Sequence, residues 1–154
     1  MSFYKNAGGM VRPRNRGELL NEIRKRFKRG QYNLNDIDTS RITDMSYLFH
    51  NFRERKLSKI DISLWDVSNV ERMDYMFRGC KKFNSDLSKW NVSNVEDMHN
   101  MFCNCSNFNS DISNWDVSNV RDMNCMFFSC YKFNSDISRW NVSNVQNMKI
   151  MFFN

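Results

Sequence analysis

The apolar and polar positions of the chain recur every 25 residues over most of its length. The period is marked by four tryptophans that open the segments WDVSNV or WNVSNV: Trp65, Trp90, Trp115 and Trp140. At fixed offsets after each tryptophan come a methionine and a Met-Phe pair, and the first three copies continue into a cysteine and an FNSD(L/I)S segment. An earlier, less regular copy, IDTSRITDMSYLF, precedes the next copy by 28 residues. So strict a repeat predicts about five stacked coils, each contacting only its neighbours.

Within one coil, the apolar spacing predicts a short helix and a short strand. Met73, Met76, Phe77 and Cys80 lie at i, i+3, i+4 and i+7, which is the spacing of one helical face. The FNSDIS segment alternates inward and outward positions, as a half-buried strand does. The sequence therefore predicts an α/β solenoid of about five 25-residue coils.

A separate unit precedes the repeats. Residues 16–30, RGELLNEIRKRFKRG, place four apolar residues on one helical face, with acids early, bases late and Gly30 where a helix would stop. This pattern predicts an amphipathic helix that caps the first coil. Residues 1–15 lack apolar periodicity and are predicted to form a flexible basic N-terminus. Residues 31–154 form the repeat region, in which the last coil is incomplete and the segment NFRERKLSK is expected to bulge.

Composition excludes several classes of protein. With 154 residues, 41% of them hydrophobic and 26% charged, the chain is predicted to fold, and it has no apolar run long enough for a membrane-spanning helix. One proline and five glycines, against 11 methionines and 13 phenylalanines, indicate that other residues make the turns.

The net charge of +6 is concentrated at the N-terminus. The first 35 residues hold nine lysines and arginines against two glutamates, and the rest of the chain is close to neutral. A uniformly basic nucleic-acid-binding face is therefore not expected over the repeats. The first residues show no secretory signal, and this predicts a cytoplasmic location.

The run FNSDISxWDVSNVxxMxxMFxxC resembles the repeat of the BspA-like leucine-rich-repeat surface proteins, including the branch first grouped from mycoplasma lipoproteins. NLNDIDTSRITDMSYLF is similar to the opening coil of those proteins, so the resemblance covers residues 32–154. It implies a leucine-rich-repeat-like right-handed superhelix that binds other proteins, often in adhesion of bacteria or parasites to hosts. It also implies an alternative location, at the cell surface or secreted by a non-classical route.

Three rows of identical residues are interpreted as structural ladders between coils. The tryptophans form the first row. The second is a row of turn asparagines that can bond the backbone of their own and the neighbouring coil and tolerate the turn dihedrals: Asn69, Asn94, Asn119 and Asn144. The third is a row of buried thiols: Cys80, Cys105 and Cys130. The five cysteines show neither a disulfide framework nor a zinc-type spacing, so no metal or cofactor is expected.

A fourth row consists of aspartates: Asp61, Asp86, Asp111 and Asp136. Carboxylates stacked in this way could bind calcium, or each could cap its own turn by accepting from backbone N–H groups. The glycine-rich pattern of calcium-binding coils is missing, which favours capping.

Positions that vary between the ladders are predicted to face outward and to form a partner surface: Arg72, Tyr75, Asp97, His99, Arg121 and Asn124. The chain has no phosphate loop, no HExxH motif and no nucleophile elbow. The sequence therefore predicts a non-catalytic protein-binding module, of which the protein partner is unknown.

Two further hypotheses concern the ends of the chain. The basic residues of the predicted helix could contact nucleic acid or an acidic membrane, which makes an intracellular factor the alternative function: Arg24, Lys25, Arg26, Lys28 and Arg29. The last coil is predicted to leave an apolar face open, so that the chain either forms a homodimer through it or is cut from a longer protein: Trp140, Val142, Val145, Met148, Met151 and Phe152.

Overall fold

The repeats lie one upon the next in chain order in the computed structural model, which describes residues 10–50, 52 and 57–153. The helices of this described part are α1, Arg16–Lys28, and a three-residue 3-10 helix, Leu57–Lys59. Neighbouring segments pair in parallel through isolated bridges: Val11 with Ile37, Asn33 with Asp61, Asp44 with Arg72, Arg72 with Asp97, Asp97 with Asp122, and Asp122 with Asn147.

The prediction of an α/β solenoid of the leucine-rich-repeat type is wrong, because the described residues contain one α-helix and no β-strand. In the FNSDIS segments, serine hydroxyls occupy the place of the backbone acceptors that a strand would need. The Leu87 N–H donates to Ser110 Oγ at 2.9 Å, and the Ile112 N–H donates to Ser135 Oγ at 3.2 Å. Side-chain acceptors interrupt a ladder, and the repeat is built from turns instead.

The short helix predicted within each coil is also absent from the described repeats. The Met76 N–H bonds to the Met73 carbonyl at 3.2 Å, which closes a tight turn. Between them Tyr75 has a φ of 57°, and its N–H leaves the turn to donate to the His99 carbonyl of the next repeat at 3.0 Å. An α-helix would keep that donor for its own carbonyl four residues earlier. The N–H groups thus hold successive repeats in register.

The core consists of side-chain rows that run through the repeats. Phenylalanine rings stack from Phe77 to Phe102 at 5.5 Å and from Phe102 to Phe127 at 5.8 Å between centroids. Trp115 lies 6.4 Å from Trp90, and its indole N–H donates to a carbonyl of the preceding repeat. All four tryptophans are buried. Since each row repeats one shape, every coil supplies the packing surface that its neighbour needs.

Helix α1 lies within the segment 16–30 that was predicted to be helical. Asn15 is its N-cap, accepting from the Glu18 N–H at 3.0 Å, and Gly30 follows its last turn with a φ of 71°. Three apolar residues of the helix are buried in the common core: Leu19, Ile23 and Phe27.

An arginine at the start of α1 contacts the first repeat. Arg16 Nη1 donates to the Ser46 carbonyl at 2.8 Å, and Arg16 Nε lies 3.9 Å from Asp44 Oδ2. In later repeats the position equivalent to Ser46 accepts from the repeat before it, as Asp74 accepts from Tyr47. Arg16 therefore donates to a carbonyl of the first repeat, to which no earlier repeat donates.

Two predictions fall largely outside the described residues. Of the segment predicted to be flexible, residues 1–9 lie outside them, whereas Val11 is buried and exchanges backbone hydrogen bonds with residues 36 and 38. The predicted bulge includes residues 51 and 53–56, which also lie outside.

Candidate interaction surface

Four of the residues predicted to contact a partner lie together on two neighbouring repeats. The Tyr75 and His99 rings are 4.7 Å apart and nearly perpendicular. His99 Nδ1 lies 2.6 Å from Asp97 Oδ1, and Arg72 Nη2 lies 3.9 Å from Asp97 Oδ2. The repeat brings these residues together because Asn100, the equivalent of Tyr75 one repeat later, directly follows His99.

A second tyrosine extends this group across a third repeat. The Tyr47 ring stacks on that of Tyr75 with centroids 4.6 Å apart and an angle of 12° between planes. Both residues have left-handed backbones, with φ of 58° and 57°. Asn100, Cys125 and Ile150 adopt the same conformation at the same position of later repeats. Tyr47 is 44% exposed, so the stacked pair offers a rigid aromatic edge to solvent.

A buried carboxylate, that of Asp74, is paired with Arg72 next to the two tyrosines. The Asp74 side chain is buried, and its Oδ1 accepts from Arg72 Nε at 3.1 Å and lies 3.0 Å from Arg72 Nη2. A carboxylate can be buried when a cation pairs with it and donates to it, as Arg72 does here. The guanidinium thereby links Asp74 of its own repeat to Asp97 of the next.

His50 and Arg78 flank the tyrosines. The His50 ring lies 5.4 Å from that of Tyr47, and Arg78 Cζ lies 5.3 Å from the Tyr75 centroid in cation–π geometry. Partial burial and the charge of Arg78 lower the pKa of His50, which favours the neutral imidazole at neutral pH. Partial burial beside Tyr75 raises the pKa of Tyr47, so its hydroxyl stays protonated. We call Tyr47, His50, Tyr75, Arg78 and His99 the tyrosine surface.

The other two predicted contact residues have different neighbours. Arg121 Nη1 lies 3.8 Å from Glu96 Oε2, and Asn124 Oδ1 accepts from the Cys125 thiol at 3.2 Å. The partner surface predicted from the sequence does not include Tyr47 or His50. Tyr47 could have been found, because it stands 28 residues before Tyr75 in the degenerate copy and so shares its position.

Three groups of this region could hold a metal ion. The ligand atoms of Asp74, Asp97 and His99 lie within 4.8 Å of one another, and carboxylate with imidazole is a donor set that zinc accepts. In the structure, however, Arg72 bonds to Asp74, and Asp97 contacts His99. The Arg72–Asp74 ion pair and the Asp97–His99 contact thus already engage all three groups next to the tyrosine surface.

The asparagine row bonds each repeat to the one before it. Each Nδ2 donates to a carbonyl of the preceding repeat at 2.6–2.8 Å, and Asn94 to Ser68 is an example. Of the residues with left-handed φ, none belongs to this row, so its members make turns without that conformation. The amides of Asn69, Asn94 and Asn119 line a polar groove together with Glu71 and Glu96.

The aspartate row caps turns. Each carboxylate accepts from the N–H of the serine two residues later at 2.9–3.1 Å, in the arrangement that was favoured over calcium binding. These hydrogen bonds from serine lower the pKa of all four carboxyls, Asp61, Asp86, Asp111 and Asp136.

The cysteine row lies in the core. The thiols of Cys80, Cys105 and Cys130 donate to phenylalanine carbonyls of the preceding repeat at 2.9–3.0 Å. Burial raises the pKa of Cys80 and of Cys130 to about 12 and raises that of Cys105 as well. Buried thiols with raised pKa values are poor nucleophiles and poor metal ligands.

The basic residues of α1 divide into two groups. Arg26 is largely buried, with its Nε 2.9 Å from Glu22 Oε1 and its Nη1 2.8 Å from Asp36 Oδ2. The other four predicted contact residues are exposed: Arg24, Lys25, Lys28 and Arg29. Arg26 therefore belongs to the attachment of the helix rather than to its outer face.

The residues predicted to self-associate differ in exposure. Trp140 and Met151 are buried, whereas Val142, Met148 and Phe152 are exposed, together with Ile150 and Phe153. Phe152 still stacks on Phe127 at 5.4 Å.

Comparison with known proteins gives a family for the chain. No helix within the described ranges is long and apolar enough to cross a membrane. No curated protein and no solved structure matches the chain. The model of the family DUF285, described as a Mycoplasma protein of unknown function, matches residues 19–104 and again residues 43–154. Together these matches cover residues 19–154, which include most of α1 and every repeat, and the chain therefore belongs to the DUF285 family.

Proposed function

We propose that the chain is a non-catalytic protein–protein interaction or adhesion module of the BspA-like repeat type, and that the tyrosine surface contacts the partner. The stacking of exposed Tyr47 on Tyr75 is the observation that carries this proposal. Tyrosine and arginine are enriched among the residues that dominate binding energy at protein interfaces.

The rigidity of the tyrosine surface also supports the proposal. Tyr47 and Tyr75 pack against each other, and Arg78 lies over the second ring, so these side chains lose little freedom when a partner binds. Asp74 and Asp97 are paired within the protein, and this leaves the aromatic edges and Arg78 to contact another molecule. Such a surface combines apolar area with hydrogen-bonding tips, which suits a mixed polar and apolar protein face.

The test uses a substitution that keeps the backbone. Asn100 adopts the conformation of Tyr75 one repeat later, so Tyr75→Asn removes the ring at a position where asparagine is tolerated. Tyr131, which is 67% exposed elsewhere on the repeats, gives the matched control Tyr131→Asn. The wild type and both variants are used as bait in lysates of the source organism and of host cells, with quantitative mass spectrometry of the captured proteins.

We expect one or more proteins to be captured equally by the wild type and Tyr131→Asn, and at least about tenfold less by Tyr75→Asn, since truncating a hot-spot residue, a class in which tyrosine is enriched, costs about 2 kcal/mol or more. Equal melting temperatures of the three proteins would show that the loss is local. Equal capture by all three would contradict the proposal.

The basic face of α1 supports a second candidate function. Arg24, Lys25 and Lys28 on α1 and Arg29 at its C-cap are exposed, which suits attraction to an acidic membrane or to nucleic acid. Co-sedimentation with phosphatidylserine vesicles, and separately with duplex DNA, at low salt tests it. Binding that is lost in Arg24→Gln/Lys28→Gln would support this intracellular function, and absence of binding to both ligands would remove it.

The adhesion form of the first candidate and the second candidate differ in location. Adhesion requires the chain at the cell surface or secreted, whereas the function of the basic helix requires it in the cytoplasm. Fractionation of the source cells with an antibody against the chain separates these cases.

A further inference from the structure

Among the described residues, Arg78 of the tyrosine surface forms no ion pair with a carboxylate. Its guanidinium carbon lies 5.3 Å from the centroid of the Tyr75 ring. Its hydrogen bond to the Cys103 thiol and its charge oppose the rise in the pKa of that thiol that burial causes. Partial burial and the charge of Arg78 lower the pKa of His50. The ring, the thiol and the neutral imidazole leave the charge of the guanidinium uncancelled.

The carboxylates closest to the tyrosines are paired with other groups. Asp74 is buried, and its Oδ1 lies 3.0 Å from Arg72 Nη2. Asp97 Oδ1 lies 2.6 Å from His99 Nδ1. Within the described ranges, these two carboxylates therefore do not compensate Arg78, and the surface presents a positive charge beside its aromatic rings.

The stacked tyrosines add to this preference for a negative group. Tyr47 and Tyr75 lie face to face with centroids 4.6 Å apart, so each ring covers one face of the other. The rim of an aromatic ring carries the positive end of its quadrupole, and a protonated tyrosine hydroxyl donates a hydrogen bond. A carboxylate suits both of these groups. A sugar or a nucleobase, which binds tyrosine by stacking on a ring face, finds one face of each ring already covered.

We propose that the tyrosine surface binds an acidic polypeptide segment, in which an aspartate or glutamate carboxylate pairs with Arg78 and an adjacent apolar side chain lies against Tyr47. This inference rests on the function proposed for that surface and adds the chemistry of the partner. A guanidinium can hold a carboxylate through two parallel hydrogen bonds. Nucleic acid is less suited, because its binding depends on several cations along the phosphate chain.

The probe is a library of random 12-residue peptides displayed on phage and selected against the full chain. The most enriched peptide is synthesised with a fluorescent label in two forms, as selected and with every aspartate and glutamate replaced by its amide. Fluorescence anisotropy gives the Kd of both forms for the wild type, Arg78→Gln, Tyr75→Asn and a control variant. The control is Arg139→Gln, at an exposed arginine beside Asp136 of the aspartate row.

We expect the selected peptides to be at least about twofold richer in aspartate and glutamate than the unselected library. Arg78→Gln should raise the Kd of the acidic peptide at least tenfold, as the loss of one partner of an interface charge pair does, and Arg139→Gln should leave it within twofold. The amide peptide should bind the wild type at least tenfold more weakly than the acidic peptide does. Because both changes remove the same ion pair, the two peptides should bind Arg78→Gln about equally.

The amide peptide is measured on the wild type, so the test stands even if Arg78→Gln fails to fold. Selected peptides without enrichment of acids, no selected peptide, or equal binding of both peptide forms to the wild type would each overturn the proposal. If Tyr75→Asn weakens binding but Arg78→Gln does not, the acidic partner is wrong and the function proposed for the surface stands. If neither variant weakens binding, both are contradicted.

Discussion

The ring of Tyr75 stacks on that of Tyr47 at 4.6 Å, and both residues have a left-handed backbone. The backbone conformation recurs at this position in every described repeat, but the aromatic pair occurs only where two tyrosines are adjacent. The repeat thus fixes the backbone conformation at this position, and the residue that occupies it in each copy determines which side chain is exposed there. Asn100 is buried at this position, whereas Ile150 is exposed.

Ile150 is the residue for which this conformation is least suited. A β-branched side chain at a φ of 52° is strained, and the left-handed region costs L-residues about 1–2 kcal/mol. Because asparagine tolerates the region, we expect Ile150→Asn to raise the free energy of unfolding by up to ~1 kcal/mol. Urea denaturation measures it. Val142→Asn, at an exposed apolar residue without a left-handed φ, is the control, and an equal gain there would point to lost apolar exposure instead.

The phenylalanine row carries much of the packing between repeats. Phe102 is fully buried and stacks on Phe77, Phe108 and Phe127. Phe102→Ala should therefore lower the free energy of unfolding by about 3–5 kcal/mol in chemical denaturation. Tyr131→Ala, at an exposed ring, should stay within about 0.5 kcal/mol of the wild type. A loss below 1 kcal/mol for Phe102→Ala would mean that the row is not packed as described.

The aspartate caps predict a dependence of stability on pH. Serine N–H groups lower the pKa of Asp86, Asp111 and Asp136 in the folded chain. An unfolded aspartate has a pKa of about 3.9, so the stabilisation is complete above that pH and is lost as the pH falls through the lowered folded values. The triple aspartate-to-asparagine variant keeps the acceptor oxygens. Its melting temperature should fall less steeply than that of the wild type between pH 5 and 2, and identical slopes would contradict the caps.

The five cysteines should differ in how fast they react with a thiol reagent. The pKa of Cys80 and of Cys130 is raised to about 12 by burial, and Cys105 is fully buried between them. Cys125 is the half-buried one. Under native conditions at pH 8, we expect a maleimide to label Cys125 first, with a fast phase that disappears in Cys125→Ser and persists in Cys105→Ser. Fast labelling of Cys105 would show that the core opens readily.

The sequence predicts the repeat and its side-chain rows, but not the hydrogen-bond partners of the backbone. Identity over four copies placed Trp65 and its equivalents in one row, because residues at one offset in a strict repeat share one environment. Side-chain periodicity does not show where an N–H group donates. For that reason the i, i+3, i+4 spacing after Met73 predicted a helix, although the Tyr75 N–H bonds to the next repeat.

The candidate site was predictable in part for a related reason. Variation between copies identified Tyr75 and His99, since residues under no stacking constraint are free to differ. Tyr47 shares the position of Tyr75 in the degenerate copy 28 residues earlier, but variation among the strict 25-residue copies does not include it. The role of Asp74 depends on a hydrogen bond to Arg72 two residues away, and no period in the sequence encodes that bond.

The most direct test of the interaction surface places a photo-cross-linking amino acid in the full chain, in turn at positions 47, 78 and 131. Positions 47 and 78 lie on the tyrosine surface, and position 131 is an exposed tyrosine outside it. After irradiation in lysate, we expect cross-links from positions 47 and 78 to the same protein that Tyr75→Asn fails to capture, and none to it from position 131. Cross-links to that protein from position 131 alone would contradict this expectation.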